Sequence, residues 1–413
     1  METHLADFIR NTSAGREAEE ILRRCVHCGF CTATCPTYQL LGDELDGPRG
    51  RIYLIKQVLE GAEPTEKTRL HLDRCLTCRS CESTCPSGVH YSRLLDIGRE
   101  VVEHKVPRGG VDAVMRGALK TLLPRPTLFG AAMKLGQSVR LMLPGALRAK
   151  VPPLSSAGPR PRRTHARKVI ALAGCVQPSM YPNINGATAR VLDRLGIEMI
   201  EARGAGCCGA VRLHLNEADG AREDARRNID AWWPLLEAGA EHVVITASGC
   251  GTQVVDYAHL LQEDPDYATK SARVVLATRD VSEVLIAEVD ALKSLLQACP
   301  PLPEGERLLA FHSPCSLQHG LKIRGTIETL LTAAGYTLTP VADSHLCCGS
   351  AGTYSVLQPE ISQRLQANKL HALTAGRPAA IASANVGCIG HLGGVAEIPV
   401  RHWIELIDAR LSA

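Results

Sequence analysis

The sequence predicts a multidomain protein in which a small all-α domain precedes two duplicated α/β domains. Three observations support this. Two identical cysteine patterns lie fifty residues apart near the N-terminus, short apolar segments alternate with helical patterns after residue 168, and a second cysteine pattern recurs about 140 residues later. A chain of 413 residues is too long for one small core, so several domains are expected.

The N-terminal cysteines follow the spacing C-x2-C-x2-C-x3-C-P in two runs, 25–36 and 75–86. This spacing holds [4Fe–4S] clusters, and the fourth cysteine of each run ligates the cluster of the other run. The first cluster is therefore assigned to Cys25, Cys28, Cys31 and Cys85, and the second to Cys75, Cys78, Cys81 and Cys35. A zinc site or a disulfide framework is the alternative, but zinc usually takes two C-x2-C pairs.

The segments around these runs read as helices, at 1–24, 51–59, 64–73 and from 94 onwards. We therefore predict a helical, ferredoxin-like domain over residues 1–104 that buries both clusters. A turn at 47–50 carries Arg49 and is followed by Arg51. Two roles stay open for each arginine: offsetting cluster charge or binding a partner, and a solvated turn residue.

Residues 105–168 form a basic, proline-rich linker with fourteen Lys and Arg against the single acid Asp112. An amphipathic helix is expected over 127–143. The linker either lies on an anionic membrane surface or acidic partner subunit, or serves as a solubilising connection. Nucleic-acid binding is disfavoured because Phe129 is the one aromatic residue available for stacking on bases.

The sequence after residue 168 predicts two copies of a parallel α/β unit, at 169–298 and 299–413. Strands are expected near 169–173, 243–246, 308–312 and 379–383. Cysteines follow the strands, where parallel sheets bind ligands. An additional cluster or metal is weighed evenly against a structural domain with reduced thiols, at Cys175, Cys207, Cys208 and Cys250, and at Cys315, Cys347, Cys348 and Cys388. His312, His319 and His345 lie near the second set, where a structural role is favoured over a ligand or proton donor. Cys299 is taken as incidental.

Several classes of protein are disfavoured. The acidic N-terminus lacks the features of a signal peptide, and no apolar run is long enough to span a membrane. Thiolate ligands require a reducing compartment, so a cytoplasmic protein is expected. Neither a dinucleotide fingerprint nor a Walker loop is found, so FAD and nucleotides are not expected on this chain.

Two ferredoxin-type motifs followed by two Cys…Cys-Cys-Gly…Cys repeats resemble the iron–sulfur subunits of membrane-linked flavoprotein oxidases. That group includes the glycolate oxidase iron–sulfur subunit, the anaerobic glycerol-3-phosphate dehydrogenase small subunit and the catalytic subunit of heterodisulfide reductase. The sequences at residues 47–51 and 204–209 look most like those of the glycolate oxidase family. The resemblance implies partner subunits that carry FAD and oxidise glycolate to glyoxylate. It also implies electron transfer through this chain to a quinone-type acceptor, with peripheral association at the cytoplasmic membrane.

The repeats depart from the heterodisulfide reductase pattern, in which a final C-x-x-C helps to hold a five-thiolate cluster. Ala247 and Asn385 stand at the first position of that pair, so each copy keeps four cysteines. Four thiolates suffice for an ordinary [4Fe–4S] cluster or for zinc. Three alternatives remain: an electron-transfer subunit serving lactate or glycerol 3-phosphate, a reductase acting at its own repeat cluster, and a metal-stabilised scaffold.

Overall fold

The computed structural model describes residues 1–412 and begins with a helical region. Two 3-10 helices, Phe30–Thr34 and Glu44–Asp46, lie among its α-helices, which are α1 (Asp7–Arg10), α2 (Ser13–Arg24), α3 (Pro36–Leu41), α4 (Pro48–Leu59), α5 (Glu66–Asp73), α6 (Ser80–Thr84) and α7 (Tyr91–Lys105). The helices start where their sequences favour it. The Thr12 hydroxyl accepts from the Gly15 amide at the start of α2, while Pro36 and Pro48 occupy first turns.

Apolar side chains spaced three or four residues apart on α2, α4 and α7 form the core of this region. It is built from residues such as Leu22, Ile55, Leu59, Leu94 and Leu95, all fully buried. The expected all-helical N-terminal region is confirmed.

The basic linker contains α8 (Gly110–Leu122), α9 (Pro126–Ser138), a 3-10 helix at Arg140–Met142 and α10 (Gly145–Arg148). The helix expected over 127–143 is thus shorter than predicted. Leu143 adopts an extended conformation because Pro144 follows it. The proline ring disfavours helical backbone angles at the residue before it.

The first cysteine-rich copy is a four-stranded parallel sheet with the strand order β2-β1-β3-β4. Its elements are β1 (Arg167–Ala171), α11 (Gln177–Met180), α12 (Asn183–Arg194), β2 (Ile197–Glu201), α13 (Ala210–His214), α14 (Ala218–Glu237), β3 (His242–Ile245), α15 (Ser248–Val255), α16 (Tyr257–Leu260), α17 (Ala268–Ala277), β4 (Thr278–Asp280), α18 (Val281–Ala287) and α19 (Val289–Gln297).

The second copy repeats this topology with the strand order β6-β5-β7-β8, again all parallel. A π-helix at Ser316–Gly320 follows its first strand. The elements are β5 (Leu308–His312), α20 (Thr326–Ala333), β6 (Thr337–Leu338), α21 (Tyr354–Leu357), α22 (Pro359–Thr374), β7 (Ala380–Ser383), α23 (Val386–Gly393), β8 (Val400–His402) and α24 (Trp403–Ser412). The same strand order in both sheets confirms the duplication, and apolar runs form the central strands because helices cover both faces.

The chain divides into two compact units that do not coincide with continuous stretches of sequence. The first unit comprises Met1–Ala118, Leu213–Asn216 and His345–Lys369. The second comprises Leu119–Arg212, Glu217–Ser344 and Leu370–Ala413, and it contains both sheets within the described residues. The second unit contains two apolar cores. One includes residues of both copies, such as Ile184, Leu285, Leu331, Trp403 and Ile407, and the other is built from the first copy around Trp232 and Tyr257.

Candidate iron–sulfur site

The two N-terminal cysteine loops have the same backbone conformation. In the first loop His27 and Gly29 have positive φ angles of 56° and 85°, and in the second Thr77 and Arg79 have 51° and 59°. These pairs occupy equivalent positions, since both are offset by fifty residues. Left-handed residues between cysteines curl the chain, so that successive thiols turn toward one centre. Each loop leads into a short helix that contains the third cysteine of its run, and the fourth cysteine follows the helix directly. These helices are the 3-10 helix Phe30–Thr34 in the first run and α6 in the second.

Each cysteine set predicted from the spacing surrounds its own cavity. The first cavity is lined by Cys25, Cys28, Cys31 and Cys85. The second is lined by Cys35, Cys75, Cys78 and Cys81. Cys81 also reaches the wall of the first cavity. The fourth cysteine of each run therefore lies with the other run, which is the crossed arrangement that a two-cluster protein requires.

The remaining lining of these cavities is mainly apolar, and this affects the thiols. Ile52, Val89 and Pro48 line the first cavity, and Pro48 also lines the second. Burial, with a further contribution from Cys25, Cys85 and Cys28, raises the pKa of Cys31 to about 11. Burial likewise raises the pKa values of Cys25 and Cys81. Such thiols lose their protons when a metal replaces them, so the donors suit an iron–sulfur cluster.

Arg51 is a buried cation beside the second cavity, with 1% of its surface exposed. It donates to the His71 carbonyl at 2.7 Å and the Thr37 hydroxyl at 3.2 Å, and it pairs with Asp46 at 3.4 Å. Burial opposes its charge, but Cys75, Tyr91, Cys35 and Asp46 raise the pKa of Arg51 above its usual value. Of the two roles left open for Arg51, the solvated turn residue is excluded.

Asp46 anchors this charged group and was not identified from the sequence. The buried carboxylate also contacts Arg74 at 2.8 Å and His71 at 3.0 Å, and its own backbone carbonyl accepts from Thr37. The Thr37 hydroxyl lies 3.3 Å from the sulfur of Cys35. No local pattern predicts the group, because its members come from separate helices and turns.

A second cluster of thiols lies at the carboxyl ends of strands in the first sheet. Cys175 follows β1, Cys207 and Cys208 follow β2, and Cys250 lies in the first turn of α15 after β3. Hydrogen bonds join Cys175 to Cys207, Cys207 to Cys208, and Cys208 to Cys250. The structure therefore brings together the four cysteines that the sequence grouped, at the edge where a parallel sheet binds ligands.

Cys207 is the most acidic member of this group. Hydrogen bonds from Cys175 and Cys208 and from the Gly209 amide lower the pKa of Cys207 well below its usual value, although burial opposes them. Asn228 holds the same turn by accepting from the Gly206 amide at 2.8 Å and donating to the Cys207 carbonyl at 2.8 Å. A thiolate surrounded by three further thiols is a donor set for a metal.

Gly209 explains why a glycine ends the Cys-Cys-Gly sequence. Its φ angle is 89°, and a Cβ atom there would lie 3.0 Å from the Ala221 carbonyl oxygen. The equivalent Gly349 has a φ of 88°, and its Cβ would lie 2.5 Å from the Ser362 carbonyl oxygen. Both turns thus need a residue without a side chain.

The cysteines of the second copy lie in different units. Cys347 and Cys348 belong to the first unit, and Cys315 and Cys388 to the second. Within the second unit, Asn385 donates to the sulfur of Cys388 at 3.3 Å and accepts from the Gly249 amide at 3.2 Å.

The three histidines near this second set are also placed by the structure. The buried ring of His312 has its Nδ1 2.9 Å from the Ser383 hydroxyl oxygen. Nδ1 of His319 lies 3.4 Å from a guanidinium nitrogen of Arg324. His345 opens the segment His345–Lys369 of the first unit. The structural role that the sequence favours for these histidines stays a prediction.

The described residues form no helix that is both long and apolar enough to cross a bilayer.

Comparison with protein families agrees with this geometry. Residues 21–89 match a 4Fe–4S dicluster domain, and residues 169–255 and 309–393 match the CCG cysteine-rich domain. Fold and site together define an iron–sulfur protein with a dicluster domain and two cysteine-rich domains.

Similarity over the whole chain defines the family further. The chain is 53% identical to the glycolate oxidase iron–sulfur subunit of Escherichia coli K12, with all of both chains covered. It is 31% identical to a probable glycolate oxidase iron–sulfur subunit of Bacillus subtilis 168, covering 92% of this chain and 90% of that one. The lactate utilization protein A of the same organism is 25% identical over 59% of this chain and its own full length. The chain belongs to the family of glycolate oxidase iron–sulfur subunits.

Proposed function

We propose that this chain is the electron-transfer subunit of a glycolate-oxidising complex, and that it carries electrons from a partner flavoprotein to a quinone-type acceptor. The observation that carries the proposal is the crossed set of eight cysteines around two cavities. When bound there, two [4Fe–4S] clusters accept and donate one electron each. Substrate oxidation to glyoxylate releases two electrons and two protons, and FAD on the partner collects them as a pair.

The residues of this chain have three tasks in that relay. The eight thiolates hold the clusters, the apolar lining of Ile52, Val89 and Pro48 excludes water, and Arg51 places a positive charge beside the second cluster. A buried cation next to a cluster stabilises its reduced form, which is the more negative one. The electrons leave singly, and the acceptor takes up two of them together with two protons.

Replacing one cluster ligand tests the relay. Cys28→Ser is expected to abolish electron flow from glycolate to quinone in the assembled complex, while glycolate still reduces the flavin of the partner. Cys299→Ser is the matched control, because Cys299 lies outside every cysteine set and its thiol contacts the Leu295 carbonyl. If Cys28→Ser also prevents flavin reduction in a complex that assembles normally, the relay assignment is wrong.

The first cysteine-rich copy supports a further proposal, that Cys175, Cys207, Cys208 and Cys250 bind a cluster or a zinc ion. Metal analysis of the anaerobically purified chain tests it, since two clusters account for about eight irons and each further [4Fe–4S] cluster adds about four. Cys207→Ser is expected to remove about four irons or one zinc while leaving the N-terminal clusters in place. A metal content equal to that of the unmodified protein would refute this site.

The donor set of the second copy, Cys315, Cys347, Cys348 and Cys388, stays a proposal of the same kind. About sixteen irons in the intact chain is the content expected if both copies hold clusters.

A lactate-oxidising complex is the second candidate, supported by the similarity to lactate utilization protein A. Substrate contacts belong to the flavin subunit in either case, so this chain does not discriminate between the two acids. Purifying the native complex and measuring which acid reduces its flavin decides between them. A reductase acting at this chain's own thiols is disfavoured, because Ala247 and Asn385 leave each copy with four cysteines.

We also propose a cytoplasmic location with peripheral attachment to the membrane, where a lipid-soluble quinone accepts the electrons. The basic composition of the linker supports this. Fractionation of cells, followed by a high-salt wash of the membranes, tests it: a peripheral protein is released by salt.

A further inference from the structure

The helix α9 has apolar side chains on two opposite faces. Phe129 and Met133 are buried on its inner face, and Gln137 ties that face to the Ser179 carbonyl at 3.2 Å. On the outer face, Leu128 and Leu135 are 45% and 67% exposed. Residues seven positions apart lie on the same side of a helix, so these two leucines form one exposed stripe.

Further exposed apolar side chains follow the end of α9. The 3-10 helix Arg140–Met142 presents Leu141 and Met142, each 85% exposed, and Leu147 on α10 is 53% exposed. Soluble proteins seldom expose so many large apolar side chains within a short segment without a partner for them. We call residues 125–148 the linker surface.

The cations of the linker surface are not neutralised by the protein. Among the described residues, Arg125, Lys134 and Arg148 have no carboxylate partner, and Arg140 donates to the Val151 carbonyl instead. The sequence contains no Asp or Glu between residues 113 and 192. The surface therefore combines exposed aliphatic side chains with uncompensated positive charge.

We propose that the linker surface binds an anionic lipid bilayer, with Leu141 and Met142 inserted between headgroups and the surrounding cations on lipid phosphates. This specifies the attachment site of the proposed peripheral protein. A segment lying in the membrane interface needs exposed apolar side chains flanked by Lys and Arg, and the linker surface supplies these cations as Arg125, Lys134 and Arg148. A protein partner is less suited, because the centres of protein interfaces are rich in aromatic residues and the one aromatic here, Phe129, is buried.

Sedimentation with vesicles tests the proposal on the anaerobically purified full chain. The unmodified protein is expected to bind vesicles of equal parts phosphatidylcholine and phosphatidylglycerol, and not vesicles of phosphatidylcholine alone. The double variant Leu141→Asp, Met142→Asp is expected to lower the bound fraction about tenfold. Lys134→Glu with Arg148→Glu should also weaken binding, and binding should fall as salt rises.

A matched control makes the same chemical change elsewhere. Leu276 and Val395 are 75% and 55% exposed and lie outside the linker surface, so Leu276→Asp with Val395→Asp should bind vesicles normally. Visible absorbance of the clusters checks that each variant has folded.

Two results would overturn the proposal. One is an unmodified protein that does not bind anionic vesicles, or a Leu141, Met142 variant that binds them equally well. The other is a variant that keeps vesicle binding but no longer copurifies with the flavin subunits, which assigns the surface to a protein partner. Reduction of the clusters by glycolate in the assembled complex, in vesicle-free solution, measures the relay separately, so failure of one proposal is distinguishable from failure of the other.

Discussion

Arg51 shows how a single side chain stabilises the site from outside the ligand set. The arginine is buried with Asp46, and its donors also satisfy the His71 carbonyl and the Thr37 hydroxyl. Removing Arg51 leaves the buried carboxylate of Asp46 with fewer compensating partners, and this costs more than losing a surface pair. The role of Arg51 is therefore both structural and electrostatic.

Arg51→Met is expected to destabilise the first unit by about 3 kcal/mol, because Asp46 keeps only Arg74 and His71 as partners. The measurement is denaturant unfolding followed by loss of cluster absorbance. Arg49→Met is the matched control from the same helix: its pair with Glu44 is partly exposed, so the expected loss is below about 1 kcal/mol. Equal losses for the two variants would contradict this account of Arg51.

At the scale of the element, a single residue ends strand β4 and caps the helix α18 that follows it. Asp280 ends β4 and caps α18, accepting from the Ser282 amide at 2.9 Å and from its hydroxyl at 2.6 Å. The Asp280 amide donates back to Glu283 at 2.9 Å, which completes a capping box. Burial raises the pKa of Asp280 to about 6, so this cap is a carboxylate held in an apolar setting.

Asp280→Ala is expected to lower the free energy of unfolding of the second unit by about 1–2 kcal/mol, because the cap is lost and the Ser282 hydroxyl keeps no acceptor. Asp280→Asn keeps a side-chain oxygen at the cap and should lose less. Urea titration of both variants measures the difference. If Asp280→Asn lowers the free energy of unfolding as much as Asp280→Ala does, the charge of the carboxylate, and not capping, dominates at this position.

The two sheets of the second unit are joined by hydrogen bonds that run between the copies. The His402 ring on β8 donates from Nε2 to the Thr246 carbonyl at 2.8 Å and accepts at Nδ1 from the Ile404 amide. The Ser248 amide donates to the Ala384 carbonyl at 3.1 Å in the same region. A ring that accepts at one nitrogen must be neutral.

Burial lowers the pKa of His402 to about 3, despite the hydrogen bond to Thr246. Below about pH 6.5 the unfolded chain binds a proton on this histidine and the folded chain does not, so stability is highest above that pH and falls as the pH decreases. Between pH 6.5 and pH 5 this histidine is expected to lower the free energy of unfolding by about 2 kcal/mol.

His402→Gln should remove that part of the pH dependence. The measurement is the free energy of unfolding of the second unit in the His402→Gln variant at neutral and at acidic pH. The same measurement on the unmodified protein and on His371→Gln, a change at an exposed histidine of α22, provides the comparison. If His402→Gln loses as much stability on acidification as the unmodified protein, the histidine is not the group responsible.

The cluster loops and the repeat were predictable from the sequence because their information is local. A thiol spacing of two and three residues limits how the chain can wrap around one centre, and positive φ at His27, Gly29, Thr77 and Arg79 follows from that wrapping. Strands and helices of the repeats were predictable from apolar runs that end at cysteines. The helix expected over 127–143 was too long: α9 ends at Ser138, a 3-10 helix covers Arg140–Met142, and Pro144 disfavours a helical conformation at Leu143.

The sequence by itself determined the eight N-terminal cysteines, the duplicated parallel sheets and the basic linker, because each depends on residues near one another in the chain or on a regular repeat. Only the tertiary structure decided that Arg51 is buried with Asp46, that Asn228 holds the Cys207 turn and that His402 joins the two copies. These contacts join residues that are distant in sequence or come from separate elements, and their strength comes from burial, which removes competing water. A pattern of residue types contains no measure of burial, so such contacts become visible when the chain is folded.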